Sequence, residues 1–117
     1  MAVLVSDEVF DQLVESALDD VPDQLLDLLD NVVIQVEDWP EGDDRGLLGL
    51  YDGIPLTERD LDYGGVLPDR IVIFREPLKT ICNGTDELVE QIRITVVHEI
   101  AHHFGIDDQR LDQLGWA

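Results

Sequence analysis

The chemistry this chain could do is concentrated in five residues, His98-Glu99-Ile100-Ala101-His102. On a helix, residues four apart lie one turn apart on the same face. Two imidazoles placed this way can reach one metal ion from a rigid backbone. Glu99, one residue round from His98, flanks that ion without having to ligate it. The pattern suits hydrolysis: a metal with an open position for water, and a carboxylate general base beside it. A single buried histidine is ordinarily a satisfied core residue. That reading fits poorly here, because a buried, unpaired glutamate on the same helix is costly without a metal or its water as partner.

The string continues His103-Phe104-Gly105-Ile106-Asp107-Asp108. Over residues 98–108 it resembles the zincin metallopeptidases with the longer signature H-E-x-x-H-x-x-G-x-x-(His or Asp), and in particular the short bacterial zincin-like proteins. The resemblance implies one zinc ion held by His98, His102 and Asp108, with Gly105 turning the chain so that Asp108 returns to the metal. Asp107, Asp112 or a more distant residue are the alternatives for the third ligand, and Asp108 could instead cap a following helix. The sequence departs from the pattern in two ways. Asp108 stands where most long-motif families have histidine, and Met1 is the only methionine, so there is no Met-turn and a full metzincin is excluded. His103 lies about 100° further round the helix than His102 and is expected at the surface or as a hydrogen-bond partner behind the ligands. Tyr51 and Tyr63 are candidates for stabilising an oxyanion. By the same resemblance, the strand from Leu47 to Tyr51 would be an edge that pairs with an extended peptide or protein substrate.

Several elements must position these residues. Ser6 can cap a helix whose apolar face is Val9, Phe10, Leu13, Val14, Ala17 and Leu18. A second helix is expected after Pro22, running through Leu29 and ended by Asn31. Val32 to Glu37 is rich in β-branched residues and reads as a strand. Leu47 to Tyr51 reads as another, with Gly49 marking a bulge or a close approach. Residues 52–69 should be mostly irregular, Arg70 to Arg75 a third strand, and a short helix follows Pro77. Thr85 should cap a long helix over 86–104, so apolar on several sides that it must be buried. Gly105 stops it in the left-handed conformation, and a last short helix covers 108–114. The expected fold is α+β (or α/β), a minimal zincin-like single domain over 1–117. It has a small twisted mixed sheet of three or four strands, packed with helices that include the buried H-E-x-x-H helix.

Charge bounds the partners. The chain carries 27 acidic against 7 basic side chains, a net −20 over 117 residues. That field repels nucleic acid and anionic membranes and biases any cleft toward basic peptides. The one cysteine, Cys82, cannot form an internal disulfide and reads as a packed small residue. With no secretory leader and no apolar run of roughly 20 residues, a cytoplasmic monomer is expected. Two other functions compete with a zinc peptidase: a catalytically idle, metal-binding regulatory protein, and an acidic protein-interaction module without metal. The retained Glu99 argues against the first, because holding zinc does not need it.

Overall fold

The structure, a computed structural model, describes residues 4–29, 32–53 and 69–116. Asn31, Tyr63 and most of the irregular stretch expected between 52 and 69 lie outside them. Helix α1 spans Asp7–Asp19, and the Ser6 hydroxyl accepts the Val9 N–H at its start. Helix α2 spans only Asp23–Leu26, shorter than expected. Beyond it the Leu28 N–H donates to Leu25 and the Leu29 N–H to Leu26. These are three-residue bonds that tighten the chain out of the helix.

Strands β1 (Val32–Glu37), β2 (Gly49–Asp52) and β3 (Asp69–Phe74) form a three-stranded mixed sheet in the order β1-β3-β2. β3 is central. It runs parallel to β1, with Val32 opposite Asp69, and antiparallel to β2, with Gly49 opposite Ile73. β2 begins two residues later than expected, although Leu48 still accepts a bond from the Phe74 N–H.

β3 ends one residue earlier than expected, because Arg75 opens helix α3 (Arg75–Ile81). Pro77 therefore stands third in the helix rather than ahead of it. That position is tolerated, because N–H groups of the first turn have no partner within the helix. The Arg75 guanidinium pairs with Asp7 at 3.5 Å, Asp11 at 3.6 Å and Asp38, and lies 5.5 Å above the Phe10 ring. This single cation joins α1, the end of β1 and α3.

Helix α4 (Thr85–His103) is the long helix of the fold. Gly84 occupies its cap position and Thr85 is its first residue, so the expected threonine cap does not form. Leu88, Ile92, Val96, Val97, Ile100 and Ala101 of α4 share one buried cluster with Phe10, Val14 and Ala17 of α1 and Ile71 and Ile73 of β3. Burial on several sides is what the continuous apolar pattern of this helix required. Helix α5 (Asp108–Leu114) follows and plants Leu111 in the same cluster. No helix among the described residues is long and apolar enough to cross a membrane.

Candidate metal centre

α4 offers two neighbouring stripes at its C-terminal half. His98 and His102 form one, and Thr95, Glu99 and His103 form the other, each at four-residue spacing. The rings of His98 and His102 stand nearly parallel, 14° apart, with centroids separated by 5.9 Å.

The chain then reverses. Gly105 adopts a φ of 76°, a conformation that glycine alone enters at no steric cost. The Ile106 N–H donates to Ala101 at 2.8 Å and the Gly105 N–H to His102 at 3.2 Å, the paired bonds of a Schellman turn. This turn brings α5 back beside the histidines. Asp107 caps α5 by accepting the Arg110 N–H at 2.8 Å, so the capping role weighed for Asp108 belongs to its neighbour. Asp108, left over, places Oδ1 3.6 Å from Nε2 of His102. Asp112 lies a turn further along α5.

These residues fit zinc by donor chemistry and by one distance. Two imidazoles and a carboxylate are a legitimate set, and bonds of about 2.0–2.2 Å to a tetrahedral ion put neighbouring donor atoms roughly 3.3–3.6 Å apart. The His102–Asp108 separation is of that size. As the side chains stand, no group of three or more His, Cys, Asp or Glu among the described residues converges on a common point. The side chains of His102 and Asp108 are 58% and 76% exposed, so packing does not lock their rotamers. His102 is thus at the surface, not buried as the apolar helix suggested, while His98 and Glu99 are partly buried.

Glu99 lies where α4 meets β2. A Cβ added at Gly49 would sit 2.6 Å from Thr95 Cγ2, 3.0 Å from the Val72 carbonyl oxygen and 3.9 Å from Glu99 Cγ. Of the two expectations for Gly49, close approach is the one realised. Burial pushes the Glu99 carboxyl above the ordinary carboxylate range; a bond from the Tyr51 backbone N–H and the neighbouring His102 and His98 pull it back only in part. The Tyr51 hydroxyl donates to Asp69 Oδ2 at 2.9 Å, which engages the proton an oxyanion would need. Exposed His103 is not an idle surface residue. Its ring lies flat on Tyr51, with centroids 3.7 Å apart and planes 8° apart. The signal in the sequence is its four-residue spacing from Glu99, which puts the two on one stripe of the helix.

A family model described as zincin-like metallopeptidase matches residues 29–116. A conserved hypothetical protein from Thermo thermophilus is similar in fold, with a TM-score of 0.57 at 22% identity over 86% of this chain and 94% of that one. Among curated proteins there is no match.

Proposed function

The chain belongs to the zincin-like metallopeptidase family, and on that premise we propose that it hydrolyses peptide bonds with Glu99 as general base. The observation that supports this most is the situation of Glu99. It stands one residue from the His98–His102 stripe, against the edge strand β2, with its carboxyl raised by burial.

His98, His102 and Asp108 would hold one zinc ion, which when bound supplies a Lewis acid for the scissile carbonyl and for water. Glu99 takes the proton of the attacking water on its carboxylate and passes it to the leaving amine. A carboxyl pKa above the ordinary range suits a group that must do both near neutrality. β2, at the edge of the described sheet, binds an extended substrate through main-chain hydrogen bonds. Beside Glu99 and His98 lies a hollow of about 170 Å³ floored by Leu48, Gly49, Ile94 and Thr95. Its lining suits an aliphatic side chain of the substrate. The net charge of −20 favours basic segments around that residue.

The test is zinc content of protein purified without a metal-affinity tag, followed by cleavage of a mixed fluorogenic peptide library. Wild type and Glu99→Ala should each hold one zinc per chain, and His98→Ala/His102→Ala none. Cleavage should fall about 10²–10⁴-fold in Glu99→Ala, the usual worth of a general base. Wild type that takes up no zinc overturns the proposal and favours an acidic interaction module. Zinc uptake with no cleavage by wild type favours an idle, metal-binding regulator.

A further inference from the structure

A side-chain contact holds β2 to α4 on each side of Glu99. One turn before it, Thr95 fills the space where a Cβ at position 49 would stand, 2.6 Å from its Cγ2. One turn after it, His103 stacks on the Tyr51 ring at 3.7 Å. Thr95, Glu99 and His103 succeed one another at four-residue spacing, so one stripe of α4 makes both contacts and carries the carboxylate between them. Tyr51 is held from its far end as well, because its hydroxyl donates to Asp69 Oδ2 at 2.9 Å, and Asp69 is a buried residue at the start of β3.

We infer that His103 is a positioning residue: stacked on Tyr51, it pins the edge strand β2 to α4 and so fixes the separation between Glu99 and the strand that would receive substrate. The inference deepens the proposed function and rests on Glu99 being the base. Flat stacking needs a planar ring rather than an imidazole as such, so phenylalanine should replace histidine here and leucine should not. The Thr95 contact holds β2 to α4 at Gly49, the first residue of the strand; the His103 stack adds a hold two residues on, at Tyr51. The backbone N–H of Tyr51, a partner of the Glu99 carboxyl, lies at that second point.

The experiment compares His103→Phe and His103→Leu in the full chain by two readouts. The first is hydrogen exchange of the Tyr51 amide in zinc-free protein, taken relative to the Val14 amide so that global destabilisation cancels. Exchange should be about tenfold faster in His103→Leu and close to wild type in His103→Phe, as expected of a local opening. The second, in zinc-loaded protein, is cleavage of the fluorogenic peptide library: kcat should fall about tenfold in His103→Leu with zinc content unchanged, and recover in His103→Phe. Equal Tyr51 exchange in the two variants overturns the inference. So does loss of zinc in His103→Leu, which would place His103 at the metal. If wild type binds no zinc or cleaves nothing, the proposed function fails, while the exchange comparison still decides the clamp.

Discussion

Glu99 is held where ionisation is disfavoured, and that has a stability consequence of definite sign. Its carboxyl is raised by burial, so the native chain holds this proton more tightly than the unfolded chain does. As pH rises from the ordinary glutamate range, about 4.3, through the raised native value, the native state therefore loses stability relative to the unfolded state. Glu99→Gln removes that loss. In zinc-free protein the glutamine variant should gain on wild type as pH rises through this window, and the gain should vanish below it. Urea titrations at a series of pH values measure the difference; a gap that stays constant with pH would refute the account. At this scale the sequence was informative where spacing alone decides: that His98 and His102 share one stripe of α4, with Glu99 beside it, follows from helix periodicity. It was silent where two elements meet. The stacking of His103 on Tyr51 crosses the sheet–helix junction, and the hydrogen bond of Tyr51 to Asp69 joins two strands far apart in sequence. The choice of Asp107 over Asp108 as cap depends on where α5 begins, to within one residue.

The turn after α4 decides whether Asp108 stands beside His102. Gly105 sits at a φ of 76°, where a side chain costs about 1–2 kcal/mol. Gly105→Ala should lower stability by roughly that amount. It should also weaken zinc binding more than an alanine at exposed Gln109 of α5, since only the first disturbs the turn. Competition with a chelating dye reads the affinity directly, and equal affinities in the two variants would separate the turn from the metal. Elements with strong local signals were legible in the sequence. α1 and its Ser6 cap, β1, the long α4 and the Gly105 stop all stand close to where composition and periodicity placed them. The boundaries that moved did so for tertiary reasons. α3 starts ahead of Pro77 because Arg75 turns into the carboxylates of Asp7, Asp11 and Asp38. α2 stops at Leu26, beyond which three-residue bonds tighten the chain.

Over the whole molecule, 27 acidic side chains against 7 basic ones leave a large excess of negative charge, a net −20. Such a surface repels itself and works against the compact state. Adding sodium chloride until the Debye length falls from about 10 Å toward about 3 Å should raise the urea midpoint of the zinc-free protein. A midpoint that falls with salt would mean that the few ion pairs, Arg75 foremost, outweigh the repulsion. The sheet order has a further consequence, in time rather than in energy. β3, α3, α4 and α5 follow one another along the chain, whereas β1 must find β3 in parallel register from Val32 to Asp69. Closing that longer loop is entropically dearer, and non-local pairing slows folding. The C-terminal half, with both candidate histidines, should therefore condense first, and β1 should dock late. Stopped-flow refolding tests the order. Ile92→Val in α4 should slow folding, while Val36→Ala in β1 should mainly speed unfolding. The reverse pattern would make the sheet the nucleus. On the expected order, a refolding chain gains the helix that carries the candidate metal-binding pair before its sheet is complete.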